Sequence, residues 1–463
     1  MKKVTLTLAI LVTSLSAYAQ DITGDWYGLL KVQGLQLRLV FHITGIGDSL
    51  KASLDSPDQN ALGIPVTSTS LENDVLKMTV TNLAIEYTGT LDKDSIVGGT
   101  FKQGGQSFPM NLSRAPVEKG VTTRPQEPKK PYPYREEEVI FTNTKDKITL
   151  AGTLTLPKEG GRYPAAILIT GSGPQNRDEE LMGHKPFLVL ADHLTRNGIA
   201  VLRFDDRGAG GSTGTFATAT SADFATDVEA AIEFLKSREE IIRIGLVGHS
   251  EGGLIAPMVG SRSTDVNFVV MLAGPGVRGK ELLIQQAELI GRAMGMSEEL
   301  VRNAHAINEG VFDLVLKSER PDSLRSQLTS SLRKAARENP QMVAQTGMPE
   351  ETFITAQVNQ LSSPWMTWFI RYDPAPTLAK VTCPLLALLG EKDLQVPASS
   401  NLKAIQGALQ KSGNKNATVK VLPNLNHLFQ EAQTGSPAEY ATIEQTFSPL
   451  ALNEISEWIL MQK

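Results

Sequence analysis

From residue 135 the chain alternates between short continuous apolar runs and longer segments whose apolar residues recur at helical spacing. The runs are "YPAAILITG" (163–171), "IAVLRFDD" (199–206), "IRIGLVGHS" (242–250) and "VNFVVMLAG" (266–274). Strands that are apolar throughout, rather than at every second position, are buried on both faces. Between them, "FLVLADHLTRNG" and "DFATDVEAAIEFLKS" read as helices, and Asn197-Gly198 ends the first as a C-terminal glycine should. The pattern predicts a mostly parallel sheet with right-handed crossovers and helices on both faces.

From about residue 279 to 373 the pattern is helical only, as in "ELLIQQAELIGRAMGM", "SEELVRNAHAINEGVFDLVL" and "DSLRSQLTSSLRKAARE". Strand rhythm then returns with "CPLLALLGEKD" and "ATVKVLPNLNH", each followed by a helix, the last ending "ALNEISEWILMQK". A helical block between two strands of a parallel sheet is most simply a cap over the carboxyl edge of that sheet. Residues 20–115 differ: "LQLRLVFHIT" alternates apolar and polar as a half-buried strand does, and glycine, asparagine and aspartate punctuate the segments after it. They predict a small antiparallel sandwich or barrel. Residues 116–134 carry five prolines and read as a stiff, extended linker.

Composition narrows the class. The chain has 463 residues, 41% hydrophobic and 21% charged, with a net charge of −5. These values fit a globular protein and, with no basic tract, argue against a nucleic-acid partner. "MKKVTLTLAILVTSLSAYAQ" opens with two lysines, continues apolar and ends on Ala17-Tyr18-Ala19. Residues 1–19 are therefore expected to be a secretory signal peptide, the mature chain being exported to the periplasm or the medium without stable membrane insertion. The one cysteine, Cys383, opens a predicted buried strand and reads as core.

The candidate chemistry centres on "GHSEGG" (248–253), which follows a buried strand and precedes a helix. A serine hydroxyl needs presentation clear of the backbone and a base beside it. A tight strand-to-helix turn gives the first, and leaves room only for small residues two before and two after, hence Gly248 and Gly252 around Ser250. In this topology an acid and a histidine follow in chain order, each just past a later strand. Asp393 in "LLGEKDLQVP" and His427 in "LPNLNHLFQ" stand there, with Glu391 a rival acid. An oxyanion needs two donors. The backbone N–H of Glu251 is one, and that of Ser172 in the glycine-rich loop "GSGPQNRDE" is the expected other.

Other groups read as structural. His42 sits among apolar residues and is expected to be packed. His193 and His305 lie on predicted helices, and the His249 side chain is expected to point away from Ser250. His184 is a weaker candidate for the entrance. Asp205, Asp206 and Arg207 in "RFDDRGAGGSTG" predict an ion-pair and turn network that braces nearby loops. In "SPWMTWFIRYDP" Trp365, Met366, Trp368 and Phe369 predict a helix packed on the sheet, with lining of an acyl pocket as the alternative. No metal-ligand spacing occurs, and no cofactor is expected.

"GHSEGG", "RFDDRGAGGSTG", "ITGSGPQNRDE" and "LLGEKDLQVP" together resemble secreted bacterial α/β-hydrolases of the serine-aminopeptidase-like group, some of them carboxylesterases, over roughly residues 135–463. "GDWYGLL", "SLDSPDQNALGIPV" and "GGTFKQGGQSFPMNLS" look like a β-rich module found ahead of such hydrolases. The resemblance implies an α/β-hydrolase fold with a helical cap, and Ser250 as nucleophile, Asp393 as acid and His427 as base. The activity expected is hydrolysis of a small-molecule carboxylic ester through an acyl-enzyme, because no dedicated anchor for a peptide amine is identifiable. A peptidase would need a carboxylate for that amine, and Glu179, Glu180 and Glu251 are the candidates. A thioesterase and a non-catalytic binding protein are the remaining alternatives, and a homo-oligomer is left open.

Overall fold

A computed structural model of the chain describes residues 21–32, 35–45, 49–59, 61–103, 106–118, 124–158, 160–344, 346 and 348–462. The expected signal peptide lies outside them. The chain forms two compact units, the first running to Lys119 and the second from Gly120 onward.

The first unit is all β. Its strands are β1 (Gly24–Val32), β2 (Leu35–Thr44), β3 (Lys51–Ser56), β4 (Ala61–Pro65), β5 (Ser68–Glu72), β6 (Val75–Val80), β7 (Ile85–Asp92), β8 (Ser95–Gln103), β9 (Gln106–Pro109) and β10 (Leu112–Ser113). They make one sheet in the order β4-β3-β2-β1-β10-β8-β7-β6-β5, with β9 also on β8. Alternate residues turn inward onto Trp26, Phe41, Leu54, Tyr87 and Phe101, all fully buried or nearly so. His42 departs from expectation. Its strand does alternate, but the ring falls on the outer face, where it bridges Asp25 at 2.7 Å and Asp55 at 3.1 Å. Hydrogen bonding to Asp25 is the main reason its pKa is raised.

The second unit holds strands β11 (Arg135–Asn143), β12 (Ile148–Leu156), β13 (Tyr163–Ile169), β14 (Ala200–Phe204), β15 (Ile241–His249), β16 (Val266–Leu272), β17 (Leu385–Gly390) and β18 (Ala417–Leu422). The sheet order is β11-β12-β14-β13-β15-β16-β17-β18. The first two strands are antiparallel, and everything from β14 to β18 is parallel. Between strands run α1 (Pro186–Arg196), α2 (Ser221–Lys236) and α3 (Gly252–Gly260), with α11 (Ala398–Ser412) and α12 (Pro449–Met461) later. In β13, Ala165, Ile167 and Ile169 face the core under α2, α3 and α11, while Ala166 and Leu168 face the core under α1 and α12. A strand with apolar partners on both faces has to be apolar at every position, which is the run seen in the sequence.

Between β16 and β17 lie seven helices: α4 (Gly279–Ala293), α5 (Glu298–Lys317), α6 (Pro321–Glu338), α7 (Pro340–Ala344), α8 (Glu350–Leu361), α9 (Pro364–Arg371) and α10 (Ala375–Leu378). Val311, Leu328, Ile354 and Ile370 give this helical block a core of its own. It is the inserted block that the loss of strand rhythm predicts. The described part of the proline-rich segment is docked rather than free. Arg124 donates to the carbonyls of Ile443 (2.5 Å) and Ala441 (2.9 Å), and Gln126 to that of Phe447 (2.6 Å).

Candidate active site

The turn after β15 is as tight as its glycines require. Ser250 takes a φ of 52°, a left-handed conformation that is costly for a residue with a side chain. A Cβ on Gly248 would stand 1.9 Å from the Gly252 carbonyl oxygen. One on Gly252 would stand 2.0 Å from that of Ile169, at the end of the neighbouring strand. The turn is thus folded on itself and pressed against β13. The Ser250 N–H donates to Leu272 on β16 at 2.8 Å, fixing the serine over the carboxyl edge of the sheet.

The two candidates from later strands meet. Asp393 follows β17 and His427 follows β18, and Asp393 Oδ2 lies 2.8 Å from His427 Nδ1. Both are buried, at 2% and 4% exposure. The other carboxylate oxygen of Asp393 accepts from the N–H groups of Gln395 and Val396, each at 2.8 Å, which fixes its orientation. Glu391, the rival acid, is exposed and instead accepts from the Asn424 N–H. Ser250 and His427 line one pocket of about 300 Å³, together with Ser172 and Glu251.

Glu251 and Glu179 line this pocket, and a third carboxylate, Asp206, stands behind the loop that carries Ser172. Glu251 is buried, and its Oε1 accepts from the Ser221 hydroxyl at 2.5 Å and from the Trp365 indole of α9 at 2.8 Å. Its Oε2 makes no hydrogen bond. Burial raises its pKa, against the Ser221, Trp365 and Ser172 side chains, which favour the charged form. Glu179, at a φ of 51°, is buried too; its Oε1 accepts from the Gly171 N–H at 2.7 Å and meets His249 Nδ1 at 2.9 Å. Asp206 is partly exposed as a residue, but its carboxylate is turned onto the Thr170 hydroxyl (2.7 Å) and the Gln175 N–H (2.9 Å). Desolvation pushes its pKa up to about 8, with Glu251 and Glu179 adding to the rise. Asp206 therefore ties together both ends of the loop that carries Ser172.

The rest of "RFDDRGAGGSTG" is the predicted brace. Asp205 pairs with Arg177 at 2.8 Å, and Arg207 pairs with Asp227 and Asp146, each at 2.7 Å. His249 does not simply turn away: it lines the pocket and joins Glu179 to the His427 carbonyl, the latter at 2.9 Å. His184 does not reach the entrance. It is fully buried, held by Tyr440 and Thr446, and burial lowers its pKa to about 4. Of the aromatic cluster on α9, Trp365 and Phe369 line the pocket with Met366, while Trp368 stacks on Tyr372 at 4.5 Å. Glu180 is exposed and stands outside the lining. Cys383 lies just before β17, partly buried, and burial pushes its thiol up to about 11. The roles of Glu179 and His249 escaped sequence reasoning, whereas Asp206 braces a loop as expected. Only the clustering of polar residues after β13 and β14 hinted at them. Among the described residues, no group of three or more His, Cys, Asp or Glu is arranged to hold a metal.

The esterase EstD of Thermotoga maritima is 26% identical over 315 residues, which are 67% of this chain. The chain spans 65% of that protein's length, just under two thirds. Among solved structures, the Pyrococcus furiosus esterase Pf2001 is 16% identical, covering 71% of this chain and 93% of its own, with a TM-score of 0.42. Est1E from Butyrivibrio proteoclasticus, solved with ferulic acid bound, is also 16% identical, covering 70% and 98%, with a TM-score of 0.41. Residues 185–432, more than half of the chain and spanning the turn at Ser250, Asp393 and His427, match the family described as serine aminopeptidase, S33, and the chain belongs to that family.

Proposed function

We propose that the protein is a serine hydrolase that cleaves carboxylic esters through an acyl-enzyme. Ser250 Oγ attacks the ester carbonyl carbon, and its proton passes to His427 Nε2. Asp393 holds Nδ1, so the ring keeps Nε2 free for the serine and its charged form is stabilised. The N–H groups of Glu251 and Ser172 bind the oxyanion. Glu179 already occupies the N–H of Gly171, which leaves that of Ser172 for a ligand. As the tetrahedral intermediate collapses, the alcohol leaves with the proton from His427. Water then repeats the sequence on the acyl-enzyme and frees the acid.

The observation that carries this reading is the 2.8 Å contact between His427 and Asp393 in the wall of the pocket that holds Ser250. The esterase relative from Thermotoga maritima supports the choice of ester. The test is a panel of aryl esters and aminoacyl anilides on wild type beside Ser250→Ala. Wild type should hydrolyse the esters and react with a fluorophosphonate, and Ser250→Ala should do neither. A Ser250→Ala variant with undiminished esterase activity refutes the reading.

A second reading, an aminopeptidase, draws on one observation. Glu179 and Glu251, two of the carboxylates that an amine anchor would need, line the pocket, and each has an oxygen without a hydrogen bond. Anilides cleaved much faster than esters would establish it instead. An exported location belongs to the same proposal, resting on the pattern of the first 19 residues alone.

A further inference from the structure

The loop from Thr170 to Arg177 leaves the carboxyl end of β13 and passes beside the nucleophile turn: a Cβ on Gly171 would stand 3.3 Å from that of Ser250. Carboxylates hold its main chain at three places. The Gly171 N–H donates to Glu179 at 2.7 Å, that of Gln175 to Asp206 at 2.9 Å, and that of Arg177 to Asp205 at 2.8 Å. Ser172, the proposed oxyanion donor, lies between the first two. Asp206 holds this stretch most completely. One of its carboxyl oxygens bonds the Thr170 hydroxyl at 2.7 Å and the other takes the Gln175 N–H. Its own N–H returns a bond to the Gln175 carbonyl at 3.1 Å. A single residue just past β14 thus closes the span from Thr170 to Gln175 at both ends. Asp206 does not line the Ser250 pocket. It faces a small space behind the loop, which Phe204, Phe216 and Phe224 also line. Any effect on the reaction therefore passes through the loop.

We infer that Asp206 is a positioning residue for the oxyanion site: it sets where the Ser172 N–H points, and so how well the tetrahedral intermediate is held. The inference rests on the serine-hydrolase reading and applies to ester and amide substrates alike. Its physical basis is distance. An oxyanion donor acts at about 2.7–3.1 Å from the developing charge, and a displacement of about 1 Å costs on the order of a hundredfold in rate. The apolar surroundings suit this task. Desolvation pushes the Asp206 pKa up to about 8, so at neutral pH it braces the loop while adding little negative charge beside the oxyanion. A carboxylic acid still makes both bonds. Its carbonyl oxygen takes the Gln175 N–H, and its hydroxyl meets that of Thr170, which accepts as well as donates.

The experiment compares Asp206→Ala, Asp206→Asn and Thr170→Val with wild type, in the full chain at about pH 7. Each is measured on p-nitrophenyl acetate and on an aryl trifluoromethyl ketone, whose adduct with Ser250 mimics the tetrahedral intermediate. Asp206→Ala should lower kcat by about tenfold or more, keep KM within about threefold, and weaken the ketone by the same factor as kcat/KM. Asp206→Asn reproduces both bonds of the acid and should stay within about threefold of wild type. Thr170→Val removes one of the two bonds and should fall between them. It decides the matter if Asp206→Ala does not fold, and there a wild-type kcat overturns the inference. So does Asp206→Ala with wild-type kcat, a loss of kcat that leaves ketone affinity unchanged, or an asparagine variant as impaired as the alanine one. Hydrolysis that survives Ser250→Ala refutes the serine-hydrolase reading itself, a distinct result.

Discussion

His249 Nε2 lies 2.9 Å from the main-chain oxygen of His427, and the two rings are 4.9 Å apart. The other nitrogen of His249 faces a Glu179 carboxylate oxygen. Both partners accept, so both ring nitrogens must donate, and His249 is an imidazolium paired with Glu179. Burial is the largest single influence and would lower its pKa, but the charge and hydrogen bond of Glu179, with the His427 carbonyl and the Asp393 charge, together outweigh it and raise it. A residue inside the turn thus fixes the backbone of the candidate base.

This pair is buried, with side-chain exposures of 7% and 5%. Removing one member leaves the other charge uncompensated, which costs about 3–5 kcal/mol. His249→Ala is therefore expected to be strongly destabilised, and the double variant with Glu179→Ala less so than the two single losses added. The coupling, about 0.5–3 kcal/mol, is read from urea unfolding of all four proteins. Strictly additive losses would show that the two side chains do not act as a pair.

Asp206 makes stability depend on pH in a window away from the usual acid range. Its folded pKa of about 8 lies above the ordinary aspartate value of about 3.9. Below pH 4 both states hold the proton, and this stabilising contribution is complete. As pH rises from 4 to 8 the unfolded chain releases its proton first, so stability falls by at most about 1.4 kcal/mol per pH unit, and levels off above 8. Asp206→Asn cannot titrate. Relative to wild type, its unfolding midpoint should climb steadily between pH 5 and pH 8. A difference that stays constant with pH would mean that Asp206 is charged throughout.

The left-handed Ser250 carries a cost of order 1–3 kcal/mol that the fold tolerates in order to present a hydroxyl. Glycine has no such cost. Ser250→Gly should therefore abolish ester hydrolysis while raising stability by about 1 kcal/mol. Gly248→Ala, whose methyl meets the Gly252 carbonyl at 1.9 Å, should lose both activity and stability. Chemical denaturation checks the pair. Should Ser250→Gly be the less stable protein, the turn would not be strained.

Much of this was readable beforehand, for definite reasons. Strands such as Ala165–Ile169 declare themselves because both faces are buried, and Gly248 and Gly252 declare the turn because nothing larger fits. Asp393 and His427 were singled out by chain order, since parallel strands deliver their ends to one edge, and the two side chains do meet there at 2.8 Å. What stayed hidden depends on partners distant in sequence. Glu179 meets His249 across 70 residues, and Arg124 reaches a carbonyl 319 residues away, where no side chain exists to advertise the contact. His42 was misread because a strand's alternation does not say which face is wet. His184, the weaker candidate for the entrance, is packed against the Tyr440 carbonyl instead, since a loop after a strand also serves as packing.

Glu251 offers the sharpest separation between the two readings of the pocket. Its backbone N–H is a proposed oxyanion donor, and its side chain links the turn to the cap through Trp365. Glu251→Gln keeps the backbone and the shape and removes only the charge. A carboxylate that merely anchors Trp365 and Ser221 is replaced tolerably by an amide oxygen, so hydrolysis of neutral esters should fall by no more than about tenfold. One that pairs with a substrate ammonium cannot be replaced, because losing a buried charge partner costs several kcal/mol, or more than a hundredfold in kcat/KM. The ester reading therefore expects Glu251→Gln to leave the ratio of ester to aminoacyl-anilide cleavage nearly unchanged. Parallel kcat/KM measurements on both substrate types decide it, and a selective collapse of the anilide rate would transfer the pocket to an amine-bearing substrate.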